Sequence, residues 1–191
     1  MQLGYREQEI IKRRIKVHKN KKHYDHISSR FTDYGPNVRA WKNFFNLPYV
    51  TKDDVILDFG CAVGFSILVG RELGYEVWGV DVEYKGPYKG VDIYREKYGT
   101  DKYIKIYDGY NLPFEDDTFT IIAGRTSFEK FNSDKRNDDP ETISKMINQR
   151  LKEFDRITTG KKIIVSNTDV FITPKMWESY GFDPKIIRFR G

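Results

Sequence analysis

The sequence predicts an α/β fold, a three-layer sandwich built on a mostly parallel central sheet of six or seven strands. Three observations carry that expectation. From Asp53 onward, hydrophobic runs of strand length alternate with helix-length segments, the rhythm of a parallel sheet covered by helices. The run Val55-Ile56-Leu57-Asp58-Phe59 opens directly into the small-residue turn Gly60-Cys61-Ala62-Val63-Gly64, and a helical pattern follows. A second run, Tyr75 to Asp81, also ends in an acid, 23 residues after Asp58.

Taken in order, residues 5–32 read as helix, with apolar or aromatic positions at Ile10, Ile11, Ile15, Val17, Tyr24, Ile27 and Phe31. Tyr34-Gly35-Pro36-Asn37 breaks the pattern, since a proline interrupts a helix interior. Val38 to Leu47 then carries Trp41, Phe44 and Phe45 at helical spacing, as packing residues. Strands are expected at 54–58, 76–80, 103–107, 119–124, 162–167 and 185–190, and helices at 64–73, 140–158 and 174–180. Between Glu83 and Gly99 only one or two helical turns are expected, over Ile93 to Tyr98. Residues 1–53 are thus expected as a helical segment and 54–191 as the core of one domain.

A chain of 191 residues with 39% hydrophobic residues is sized for one domain with a substantial core. The net charge of +5 is uneven: residues 1–54 carry +6 and the remainder −1. Seven basic residues and no acid lie between Lys12 and Lys22, which reads as a solvated helix face, with binding of RNA or another polyanion as the alternative. One cysteine excludes an internal disulfide and a Cys-rich zinc site. No secretory pattern and no apolar run of about 18 residues is present. The expectation is a cytoplasmic protein (the host cytoplasm if viral) with no membrane partner.

A strand running into a glycine turn and a helix builds a nucleotide cradle, because small residues let the backbone and the helix N-terminus approach the ligand. An acid at the tip of the next strand is placed for ribose hydroxyls. The dinucleotide pattern wants G-x-G-x-x-G. Here the small residues fall at 60, 62 and 64, with an acid two positions before the first. That turn resembles motif I of the class I S-adenosylmethionine-dependent methyltransferases, D-x-G-x-G-x-G, with Ala62 at the middle glycine. Asp81 matches the family's ribose-binding acid, and Tyr107 to Phe119, with Asp108 and Leu112-Pro113-Phe114, resembles its passage from the third to the fourth strand. The resemblance covers residues 54–190 and is nearest to small-molecule and glycan methyltransferases.

The resemblance implies a Rossmann-like fold, S-adenosyl-L-methionine as cofactor, and a cofactor site of Asp58, Gly60, Cys61, Ala62, Gly64, Phe65, Asp81, Val82, Asp108, Gly109 and Arg125. Two departures carry expectations of their own. Ala62 is tolerable if its φ is negative and the ligand is not directly against it. After the fifth strand the family has a helix and an antiparallel strand pair, whereas only Lys185 to Arg190 remain here.

Methyl transfer to a hydroxyl requires in-line alignment and removal of a proton. The segment Gly124 to Lys130 lacks the D-P-P-Y or N-P-P-Y motif of amino-methylating DNA enzymes, and no Pro-Cys nucleophile for cytosine occurs. Thr126-Ser127-Phe128-Glu129-Lys130 is similar to a Ser-x-Glu-His segment of polysaccharide-associated methyltransferase-like proteins, with Lys130 in place of His. Glu129 is the first candidate base. The resemblance implies that residues 1–53 form a lid over the site, from which His23 or His26, of His18, His23 and His26, could reach the acceptor; His26 is the second candidate. Asp134, Asp138 and Asp139 match no metal motif, and no metal is expected. The expected activity is O-methylation of a sugar, glycan or other small-molecule hydroxyl; the alternatives are methylation of RNA or another polyanion, and a non-catalytic methyltransferase-like binding module.

Overall fold

A computed structural model describes residues 34–83, 90–125, 127–128, 140–166 and 172–187. The predicted helix at 5–32, the basic Lys12–Lys22 run, His26, Glu129 and Asp134, Asp138 and Asp139 lie outside the described residues. The element order is α1 (Tyr34–Phe45), β1 (Val55–Phe59), α2 (Phe65–Glu72), β2 (Glu76–Val82), α3 (Gly90–Tyr98), a 3-10 turn (Asp101–Tyr103), β3 (Ile104–Tyr107), β4 (Phe119–Gly124), α4 (Pro140–Ile157), β5 (Thr158–Ser166), α5 (Pro174–Glu178) and β6 (Asp183–Ile186).

The six strands form one sheet in the order β3-β2-β1-β4-β5-β6, and all five pairings are parallel. The direction of winding reverses between β1 and β4, the switch point at which ligands collect in such sheets. Side chains alternate along the strands and feed two cores. Leu57, Phe59, Val80, Ile122 and Ile164 face α4 and α5, meeting Ile147, Leu151, Phe154, Trp177 and Phe182. Ile56, Ile121, Ala123, Ile163 and Val165 face α1, α2 and α3, meeting Trp41, Phe44, Phe45, Ile67 and Val91.

Three expectations are corrected. Tyr34 to Asn37 is helical, because Gly35 and Pro36 fall in the first turn of α1, where a backbone N–H has no helical acceptor to lose. The segment before β2's partner β3 holds a nine-residue helix, α3, rather than one or two turns. Strand β5 begins at Thr158, paired with Phe119, and takes up the extra residues in a register shift around Gly160 and Lys162, both with positive φ. Helix α1 belongs to the core: its Phe45 packs on Gly70 of α2, and Tyr75 donates a 2.8 Å hydrogen bond to the Phe45 carbonyl. Strand β6 pairs directly and in parallel with β5.

Candidate cofactor site at the β1–α2 turn

The site is built where β1 ends. The Gly60 and Cys61 N–H groups both donate to the Val80 carbonyl, at 2.8 and 3.3 Å, tying the turn to β2. Gly60 and Gly64 have φ of 74° and 85°, so both occupy the left-handed region that glycine enters without steric cost. A side chain at Gly60 would collide with Ser127, whose hydroxyl donates to the Phe59 carbonyl. One at Gly64 would stand 3.0 Å from the Thr100 Cβ.

Ala62 does not meet the first condition set for it: its φ is +49°, an arrangement that costs an L-residue about 1 kcal/mol. Its peptide group is held from both sides. The Ala62 N–H donates to Asp81 Oδ2 at 2.7 Å, and the Ala62 carbonyl accepts from Arg95 Nε at 2.8 Å. The Arg95 guanidinium lies 3.8 Å from the same Asp81 oxygen and 3.0 Å from Asp92.

Two carboxylates flank the turn. Asp81, at the end of β2, is buried and also accepts from the Val82 N–H through Oδ1 at 2.8 Å. Asp58 is buried under the turn and accepts a 2.5 Å hydrogen bond from the Ser66 hydroxyl of α2. Burial pushes its carboxyl up to about 7, against the Ser66 hydrogen bond; the Asp81 charge adds to the rise and Arg125 opposes it. A third carboxylate, Asp108, lies just past β3. It is exposed and accepts from the Tyr110 and Asn111 N–H groups at 2.7 and 2.8 Å, which hold its pKa below the usual carboxylate range. Gly109 follows it with φ of 93°.

The other expected residues separate by orientation. Val82 is exposed at the rim beyond Asp81. The Cys61 side chain points inward, into the space left by Gly79, and burial pushes its thiol up. The Phe65 ring is buried against Tyr34 and Tyr98, with centroids 5.9 and 5.4 Å away. At the end of β4, Arg125 donates from Nη1 to Asn37 Oδ1 of α1 at 2.5 Å.

Sequence reasoning missed Asn37, Ser66, Arg95, Thr100 and Arg150. Arg150 of α4 is buried beneath the site, 5.0 Å from the Phe59 ring, donating to the Phe128 carbonyl at 2.9 Å and to the Tyr107 hydroxyl. It therefore connects the ends of β1 and β3 to the segment after β4. Ser66 had a signal, a hydroxyl one position into the helix after the turn; the others are arginines, Asn and Thr with no local pattern. Among the described residues, no group of three or more His, Cys, Asp or Glu is arranged to hold a metal ion. No helix among them is long and apolar enough to cross a membrane.

No family model matches the chain, and no curated protein matches it. Solved structures do. The PH0226 protein of Pyrococcus horikoshii superposes with a TM-score of 0.52 at 23% identity, over 73% of this chain and 62% of that one. The chain shares the Rossmann-like α/β fold of that protein. At this identity the likeness is one of fold. A putative methyltransferase of Haloferax volcanii, solved with the Trm112 methyltransferase activator, gives 0.48 at 21% identity, over 70% of this chain and 54% of that one. The YcgJ protein of Bacillus gives 0.46 at 18%, over 64% and 47%. The chain spans about half to three-fifths of the length of these proteins.

The motif resemblance at the β1–α2 turn implies a ligand that can be checked against the side chains present. S-adenosylmethionine offers a ribose diol, an ammonium group and a sulfonium. The donor set here is rich in acceptors, with Asp58, Asp81 and Asp108 at the carboxyl ends of β1, β2 and β3. These suit hydroxyls and cations, and the residues present fit the group. Asp81 suits the ribose of either cofactor, whereas Asp58 beside the turn suits an ammonium better than a pyrophosphate, which a carboxylate repels.

Proposed function

We propose that this chain is an S-adenosylmethionine-dependent methyltransferase that methylates a hydroxyl of a sugar, glycan or other small molecule. One observation carries the cofactor half of the reading: the Asp81 carboxylate at the tip of β2, hydrogen-bonded to the glycine turn of β1 and backed by the buried Asp58. Asp81 is the residue to accept the ribose hydroxyls. The exposed Val82 and the loop of Asp108 and Gly109 are the ones to meet the adenine. Arg125 is the candidate for the amino-acid carboxylate. When bound, S-adenosylmethionine supplies a methyl group on a sulfonium.

The chain's remaining task is to align the acceptor and take up its proton. Glu129 is the first candidate for that base and His26 the second. Support for Glu129 is its position in the chain directly after Phe128, whose ring stacks on Phe59 at 5.6 Å at the end of β1. A hydroxyl acceptor is favoured because the sequence carries neither of the base-methylating nucleic-acid motifs.

Two measurements test the reading. Asp81→Ala is expected to weaken S-adenosylmethionine binding at least tenfold, about 1.4 kcal/mol; unchanged affinity removes the ribose role. Transfer of labelled methyl groups is expected onto hydroxylated sugars or phenols, and to fall at least a hundredfold in Glu129→Gln. Label that appears on RNA alone overturns the acceptor assignment.

A further inference from the structure

We propose that Arg95, with Thr100 beside it, is a positioning residue that holds the β1–α2 turn and Asp81 in the form that receives the cofactor. The proposal rests on the reading of this turn as the S-adenosylmethionine site. It starts from an oddity of the backbone. Ala62 adopts a φ of +49° in a turn whose other left-handed positions are glycines. An alanine left to itself returns to negative φ.

Helix α3 and the turn after it prevent that return. Arg95 Nε donates to the Ala62 carbonyl at 2.8 Å, and the Thr100 hydroxyl donates to the next carbonyl, that of Val63, at 2.7 Å. Two successive turn carbonyls are thereby drawn toward α3. Both donors are buried, 4% and 2% exposed, so water does not replace them. Thr100 is itself fixed by its N–H, which donates to the Arg95 carbonyl at 2.9 Å.

The same arginine reaches the acid. Its Nη2 lies 3.8 Å from Asp81 Oδ2, the oxygen that accepts the Ala62 N–H. Asp81, Ala62 and Arg95 form a closed ring of contacts: carboxylate to N–H, carbonyl to guanidinium, guanidinium to carboxylate. With Oδ1 held by the Val82 N–H, the Asp81 carboxylate has a fixed plane. A preset carboxylate binds a diol without first losing rotamer freedom, and partners one step removed from a ligand commonly set its affinity.

The ring makes a specific coupling testable. Arg95→Gln is expected to lower S-adenosylmethionine affinity at least tenfold in the wild-type background. In the Ala62→Gly background, where φ of +49° carries no steric cost, the same substitution is expected to cost at least threefold less. An equal loss in both backgrounds, or a loss under twofold in the first, overturns the proposal. Should Arg95→Gln fail to fold, Thr100→Val takes its place in the same comparison with the same criterion. The binding-independent readout is amide hydrogen exchange at Ala62, expected to accelerate at least tenfold in Arg95→Gln while amides of β4 are unchanged. A wild type that does not bind S-adenosylmethionine overturns the cofactor reading, and the exchange rate then decides the clamp alone; unaltered exchange at Ala62 overturns it.

Discussion

Asp58 carries a carboxyl that burial lifts to about 7, and this has a definite sign for stability. In the unfolded chain it titrates near 3.8. Between those values the native state holds a proton that the unfolded state has released, so stability falls as pH rises from about 4 to about 7 and levels off above. The full cost at pH 8 is up to about 4 kcal/mol. Asp58→Asn, which preserves shape and keeps an acceptor for Ser66, is expected to match wild type in urea unfolding at pH 4 and to exceed it by about 2–4 kcal/mol at pH 8. A cationic ligand reverses the sense. Ionised Asp58 attracts it, so S-adenosylmethionine affinity is expected to rise from pH 6 to pH 8 in wild type more steeply than in Asp58→Asn. Parallel profiles would remove Asp58 from the site.

At this scale the sequence was legible where chemistry recurs at fixed spacing: Asp58, Gly60, Gly64 and Asp81 all lie at the turn or at the strand end bonded to it. Residues that act across the fold left no such trace. Arg95 meets Ala62 across 33 positions, and Arg125 meets Asn37 across 88. The φ of Ala62 was not legible for the same reason, since the partners that hold it in the left-handed region come from β2 and α3.

Among the elements, the packing of α1 on α2 turns on one missing side chain. Gly70 lies inside α2, where glycine costs a helix about 1 kcal/mol relative to alanine. A Cβ there would stand 2.5 Å from the Phe45 ring and also collide with Val77 of β2. Overpacking of a core costs about 1–3 kcal/mol, so the clash outweighs the propensity gain. Gly70→Ala is expected to destabilise the protein by roughly 1–2 kcal/mol, read as a lower urea midpoint at unchanged m; a stabilised variant would mean that α1 does not press on this face. The strands and long helices were readable from periodicity, with β4 found at the expected residues and α4 one residue shorter than expected. Pro36 was not, because its meaning depends on position: it disrupts a helix interior and suits a first turn. The start of β5 was hidden by its bulge, where Gly160 and Lys162 interrupt the alternation that marks a strand.

For the whole molecule, the sheet separates two cores with one buried tryptophan in each, Trp41 on the α1 side and Trp177 on the α4 side, while the half-buried Trp78 packs against the second. Every strand but the edges contributes to both faces or links them through the sheet, so the two cores are expected to melt together. Variants retaining only Trp41 or only Trp177 should show fluorescence midpoints within about 2 °C of each other once corrected for the substitutions; separated transitions would divide the chain into independent units. The parallel sheet also gathers Asp58, Asp81 and Asp108 at one edge; Asp81 suits the ribose of either ligand, and Asp58 beside the turn is the ground for proposing a cationic adenosine ligand over a dinucleotide. Calorimetric titration of the full chain with S-adenosylmethionine and, side by side, with NAD tests that choice most directly. Saturable one-to-one binding of S-adenosylmethionine with no saturable heat from NAD is the predicted result; saturation by NAD, or none by S-adenosylmethionine, would contradict it.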